Sequence, residues 1–392
     1  LSIMVGVAGC IEPFEATFED FESALVIEAT ITNELKTQQV VITRAFEFEA
    51  EGPTAEINAN VRVEGGGTTY PFVEESPGVY VSQQAFAAQA GTTYQLLVQT
   101  QDGRTYSSSS AVLPPTTQID AITAERITMD DGEEGVGIFV DSFDPQGQSV
   151  NYRYEYEETY QIIAPFWSPV DLEVVPLEEL TQICDVRTIP DERTVQVCYA
   201  TDYSNTIIQT STSDLGEDRV SNFMVRFISN QNYIISHRYS ILVRQLVQSN
   251  EAFNFYETLN EFSGNESFFS ETQPGFLEGN ISSDMSDNEK VLGFFEVVSA
   301  TEQRLFFNYD DFFPGEELPP YVDPCTLNSP PLSAPGDPPR CVLGSQVELG
   351  LVSYVDLNGT PGEGEGPFFV VPSVCGDCTT LGKEEIPVFW EE

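Results

Sequence analysis

The chain has 392 residues, and 63 acidic residues against 16 basic ones give it a formal charge of −47, with Lys36, Lys290 and Lys383 its only lysines. Such a field repels phosphate backbones and anionic headgroups, which argues against nucleic acid and polybasic membrane attachment and suits solubility in salty water. With 41% hydrophobic residues the chain can bury a full core, so it is not a disordered tail, and its length implies roughly two domains.

No apolar run approaches the roughly 20 residues of a membrane-spanning helix. The opening stretch, with Leu1, Ile3, Met4, Val5 and Val7 before Ala8-Gly9-Cys10, reads as the tail end of a secretory signal over residues 1–10. Val7-Ala8-Gly9-Cys10 has the pattern of a bacterial lipobox, in which the peptidase cuts before an acylated cysteine, so Cys10 is the expected lipidation site. The competing reading makes Cys10 an ordinary buried cysteine. Acyl chains gain about 0.8 kcal/mol per buried methylene, enough for a multiply acylated cysteine to hold the protein on a bilayer. Residues 11–22, with Glu12, Glu15, Glu19, Asp20 and Glu22, form an acidic tether.

Residues 23–115 carry strand signals at close intervals. "ALVIEATIT" and "QQVVITRAFEF" are rich in β-branched residues, and Ile57, Ala59, Val61 and Val63 alternate with polar residues ahead of a Gly65-Gly66-Gly67 turn. Ser76-Pro77-Gly78 and Asp102-Gly103 mark further turns. Short strands with regular turn punctuation predict an N-terminal immunoglobulin-like β-sandwich, with Pro114-Pro115 as its exit. The rest, 116–392, reads as a larger β-rich domain with a few helices.

In that second region a turn is expected at Asp144-Pro145-Gln146-Gly147, followed by a strand carrying Tyr152, Tyr154 and Tyr156 on one face and Arg153 and Glu155 on the other. Aromatics at this period form a packed sheet face more often than a ligand platform. One helix is predicted near 250–262, capped by Ser249-Asn250 and stopping before Gly264, with Ala252, Phe255, Tyr256, Leu259 and Phe262 as its packed seam.

Apart from Cys10 there are six cysteines, Cys184, Cys198, Cys325, Cys341, Cys375 and Cys378. An exported protein makes disulfides their default state, with Cys184–Cys198 the favoured local pair. The rival is structural zinc, since Cys375-Gly376-Asp377-Cys378 has C-x-x-C spacing that Cys325 and Cys341 could complete. A thioredoxin-type redox motif is weaker, because no βαβ pattern surrounds Cys375.

No catalytic residue is assigned. His237, the only histidine, sits in a strand-like run and reads as structural; no G-x-S-x-G elbow, H-E-x-x-H motif or phosphate-binding glycine loop is present. Calcium is the most reasonable inorganic partner, at Asp130-Asp131-Gly132-Glu133-Glu134 or at Asp284, Asp287 and Glu289, but neither cluster has EF-hand spacing and both read as solvated loops. No metal or cofactor is therefore expected.

The order "YSILVRQLVQSNEAFNFYETLNEF", Pro274, "LEGNI" and "EKVLGFF" resembles the central signature of a Bacteroidota lipoprotein family known as domain of unknown function 4249 (DUF4249). "LVIEATIT" resembles its first strand, and "CGDCTTLGKEEIPVFW" its C-terminal end; Thr30, Tyr256 and Gly382-Lys383-Glu384 depart from its usual residues. The resemblance implies an exported, lipid-anchored outer-membrane protein, on the periplasmic or the cell-surface face, whose partner is a TonB-dependent transporter. Three functions follow as expectations. The first is a non-enzymatic binding or accessory subunit of such a transporter. The second is a surface adhesin or glycan-binding module using Tyr152, Tyr154 or Trp167, and the third a carboxylate-based hydrolase.

Overall fold

A computed structural model describes residues 24–45, 52–176, 184–193, 195–264, 277, 279–336 and 339–391. The chain is mainly β with few helices, and it divides into two compact units: residues up to Leu113 with Glu261–Val297, and Pro114–Asn260 with Val298–Glu392.

The first unit follows from strict alternation. In Leu25–Thr32 the side chains of Leu25, Ile27, Ala29 and Ile31 are buried, and the strand pairs antiparallel with Gln39–Arg44, Ile27 opposite Ile42. Asn60–Gly65 pairs with Thr68–Ser76 so that Gly65 faces Thr68. Gly66 and Gly67 are left as a two-residue turn at φ +59° and +79°, the left-handed geometry that matches the twist of a hairpin. Thr68–Ser76 then changes partner midway. Its first half pairs with Asn60–Gly65, and Phe72 to Ser76 pair with Val79–Ser82, so one strand serves both layers. Ile27, Ile42, Val63, Tyr80, Leu96 and Phe295 meet in the resulting core.

One expectation is corrected here. The sandwich was expected to be complete by residue 115, with everything from 116 onward in the second domain. The first unit instead takes its last strands from much later in the chain. Ile281–Ser283 pairs with Thr105–Ser108, and the beginning of Val291–Asn308 lies beside Leu25–Thr32. Ile281, Val291 and Val297 enter the same core. A three-residue strand is too short to show a hydropathy period, and the edges it covers are backbone groups that carry no side-chain signal.

In the second unit Asn151–Ile163 is central. Arg238–Val247 pairs along one edge, and Val197–Tyr203 and Ile208–Ser211 share the other. Arg238–Val247 pairs in turn with the later half of Val291–Asn308. A second sheet runs Ile119–Thr128, Glu134–Phe143, Arg219–Ser229. Tyr152, Tyr154, Ile241, Ile138 and Val140 from the two sheets share one core. The expected turn after Phe143 forms around Asp144, whose carboxylate accepts from the amides of Gln146, Gln148 and Ser149 at 2.9, 2.8 and 2.8 Å. Burial pushes that carboxyl upward, but the three amides pull it further the other way, so it sits below the usual range. The chain after Leu113 is held by its carbonyls: Pro115 accepts from Ser299 Oγ, and Thr117 from Gln245 Nε2 and Thr301 Oγ1.

The helix spans Asn250–Gly264, with Ser249 Oγ accepting from the Ala252 amide as predicted. It runs through Gly264 rather than stopping before it, and its packed seam is shorter than expected. Ala252 and Phe255 are buried, whereas Leu259 and Phe262 are exposed. At the C-terminal end Trp390 sits edge-on to Tyr199 and Phe306, and Arg304 lies 3.5 Å over the Phe389 ring.

Gly293 meets a strict backbone requirement in the first unit: its φ is +99°, and a Cβ there would lie 2.0 Å from the Ile27 carbonyl oxygen. Gly293→Ala is expected to destabilise the fold by more than about 2 kcal/mol, read by thermal unfolding. Gly67→Ala, with φ +79° and open space around it, should cost only about 1 kcal/mol.

Candidate binding cleft

Asn151–Ile163 sets the site through its period of two. Tyr152, Tyr154, Tyr156, Glu158, Tyr160 and Ile162 occupy one face, so a carboxylate falls in the middle of an aromatic row. Glu158 is 4% exposed. A buried carboxylate needs a counter-charge and filled lone pairs. Arg226 supplies the charge in a two-pronged contact, Nη2 to Oε1 at 2.9 Å and Nε to Oε2 at 3.1 Å, and Tyr239 donates its hydroxyl to Oε2 at 2.5 Å.

Arg226 reaches inward because its strand is irregular. Ile138 pairs with Arg226 and Phe139 with Met224, leaving Val225 as an extra residue, and such a bulge shifts the phase of the side chains around it. Val225 and Ile228 are both buried, with Arg226 turned to Glu158 between them. Burial works against the Arg226 charge, but the Glu158 carboxylate more than offsets it and holds the guanidinium protonated. Burial, reinforced by the same carboxylate, pushes the Tyr239 hydroxyl well above its ordinary range.

Beside this ion pair a cleft of about 470 Å³ opens, lined by Tyr156, Ile207, Phe223, Phe227, Phe253 and Glu257 among others. The Arg226 guanidinium lies 5.5 Å from the Tyr156 ring. Helix Asn250–Gly264 forms one wall and is pinned from the far face of the central strand: Arg153 stacks on Tyr256 at 4.4 Å, and Asn151 Nδ2 donates to Asn250 Oδ1 at 2.6 Å. Arg153 lies on the face opposite the tyrosines, as its place in the alternation predicts, and is buried under that helix. Gln209 bridges its strand to the helix and the segment before it, donating to Gln248 Oε1 at 2.8 Å and to the Phe253 carbonyl at 3.5 Å. The cleft offers aromatic faces, amides, strand edges and the Glu257 carboxylate.

The other sequence-marked residues are dispersed. Cys10 and the tether lie outside the described residues. Tyr152 and Tyr154 are buried and Trp167 packs partly buried against the core, so these rings form no exposed stacking platform. His237 lies in a bend before Arg238–Val247 rather than within a strand, beside Tyr233 and Tyr321 at a pocket of about 180 Å³, and burial pushes its imidazole down, keeping it neutral. In the first acidic loop Asp131 accepts from the Glu133 amide and Glu134 pairs with Arg126. In the second, Asp284 accepts from Ser107, and Glu289 accepts from Arg104, Tyr106 and Ser283. Asp131, Glu134, Asp284 and Glu289 thus direct carboxylate oxygens to the protein itself.

The cysteines pair as Cys184–Cys341, Cys198–Cys378 and Cys325–Cys375, over sequence separations of 157, 180 and 50. This confirms disulfides and corrects the favoured pairing of Cys184 with Cys198. Cys198 belongs to the main core with Cys378, whereas Cys184 and Cys341 flank the small cluster around Leu172, Val186 and Leu343. It also removes the four-thiolate zinc site, because Cys375 and Cys378 enter different bridges. Asp323, Cys325 and Cys375 bring ligand atoms within 4.8 Å of one another, but both sulfurs are spent in one bond. Sequence reasoning missed Glu158 and Arg226. The signal for Glu158 was an acid on the same alternating face as four tyrosines; Arg226 had none, because its orientation depends on a bulge.

A family model described as "Domain of unknown function (DUF4249)" matches residues 11–304. No curated protein matches the chain. The matched span contains the whole cleft, and two disulfides tie it to residues beyond it, Cys184 to Cys341 and Cys198 to Cys378.

Arg226→Met leaves Glu158 without its counter-charge and should cost about 3–5 kcal/mol in denaturant unfolding, whereas Glu158→Leu combined with Arg226→Met should recover much of that loss. Additive effects would show that the two side chains are uncoupled. Cys198→Ser and Cys378→Ser should each cost about 2–5 kcal/mol, with the double variant no worse than either, and non-reducing peptide mapping should recover the same link.

Proposed function

The chain belongs to the DUF4249 family, and from that membership we propose that it is a lipid-anchored outer-membrane lipoprotein that works by binding, as an accessory subunit of a TonB-dependent transporter. The observation that carries this reading is the cysteine inventory. Six of seven cysteines are joined in three bridges, which suits an oxidising compartment outside the cytoplasm, and the seventh is Cys10 of the lipobox pattern. Acylation of that sulfur, with residues 11–22 as a solvated tether, would give the folded units reach from the bilayer.

Binding rather than turnover is favoured by how the buried carboxylates are used. Glu158 is held by Arg226 and Tyr239, Asp144 by three amides, and Glu296 accepts from Thr30. Each serves the fold, which weakens the hydrolase alternative, and the burial of Tyr152 and Tyr154 removes the rings that motivated a glycan platform.

Cys10→Ala is expected to move the protein from the membrane to the soluble fraction, and crosslinking in native outer membranes is expected to capture a transporter barrel with the wild-type chain. A Cys10→Ala protein that stays fully membrane-bound would overturn the anchoring, and capture of no barrel would overturn the partnership.

A further inference from the structure

The cleft is bordered by two strand edges. Among the described residues Ile208–Ser211 pairs only with Asn151–Ile163, and Arg219–Ser229 only with Glu134–Phe143. Both present their other edge to the cleft, through residues 206–209 on one side and 223–227 on the other. Open edges are normally blunted by lysine, proline, short length, bulges or charge. Ile208–Ser211 is short and the bulge at Val225 interrupts Arg219–Ser229, but neither cleft-facing stretch carries lysine, proline or an outward charge. Here the two stretches read Thr-Ile-Ile-Gln and Phe-Met-Val-Arg-Phe, and their one charge, Arg226, is turned inward to Glu158. Rows of backbone donors and acceptors beside aromatic side chains select an extended polypeptide over a helix or a sugar.

Charge selects further. With Arg226 committed to Glu158, Glu257 is the charge left on the cleft wall, and the chain as a whole carries −47. Opposite charge on the incoming segment is therefore favoured both at the rim and at a distance.

We propose that this cleft takes an extended segment of a partner protein, with apolar and basic residues in alternation, which adds as a strand to the free edge of Arg219–Ser229. Its apolar side chains enter between Tyr156, Phe253 and Phe227, and its basic ones face the acidic surround. The inference rests on the binding reading above and gives it a recognition chemistry.

The test uses the full chain and a capped peptide of alternating lysine and valine, about six residues long, followed by titration calorimetry at low salt. Two further peptides carry N-methyl groups on alternate amides, one set offset by a residue from the other. Strand addition needs only the amides facing the edge, so one methylated isomer should lose at least about tenfold in affinity and the other should not. Met224→Lys, on the cleft wall, should weaken the parent peptide while Met224→Glu keeps it, with unfolding temperatures confirming that both variants are folded. Equal binding of both methylated isomers would reduce the effect to bulk charge and overturn the proposal, as would no binding of the parent peptide. Membrane fractionation of Cys10→Ala is independent of this titration, so failure here leaves the anchoring reading standing.

Discussion

A single carboxylate constrains the second unit. Glu158 occupies a position that the alternation of Asn151–Ile163 reserves for the core, and a charge there is tolerable only with its partners in place. Arg226 comes from the other sheet and Tyr239 from the neighbouring strand, so the contact fixes how the two sheets of this unit stack and in what register. The bulge at Val225 is part of the same constraint, since it brings the guanidinium inward. An apolar pair at these positions could match the stability, but it would not specify the stacking so narrowly. The cleft lies beside this contact, and Arg226 contributes to both.

Much of the fold was legible from residue types. The alternation of Leu25–Thr32, the glycine turn at Gly66-Gly67, the Asp144 turn and the Ser249 cap all arise from local chemistry, and each appears where that chemistry places it. What was not legible is non-local. Ile281–Ser283 is recognisable only from the edge it covers, and the cysteine pairing depends on which core each sulfur enters. Leu259 and Phe262 continue a helical stripe past the end of the surface that buries it. The C-terminal cysteines and the Pro-x-Phe-Trp end, part of the family likeness read from sequence, fall beyond the matched residues 11–304.

The acidic balance has a structural counterpart. Arg44, Arg104, Arg126, Arg193 and Arg304 are each already bound to carboxylates within their own unit. These five cations are therefore neutralised inside the molecule, and the surplus charge of the chain is negative. Exposed pairs of this kind contribute little stability individually, so their main effect is on what approaches the surface.

The placement of Val291–Asn308 beside Leu25–Thr32 has a consequence for biosynthesis. A chain that emerges amino end first exposes Leu25–Thr32 early, yet its neighbour arrives only after the whole of Pro114–Asn260 has followed. Closure of the first unit is thus a late event with an entropic cost of loop closure, and until then Leu25–Thr32 keeps one edge unpaired.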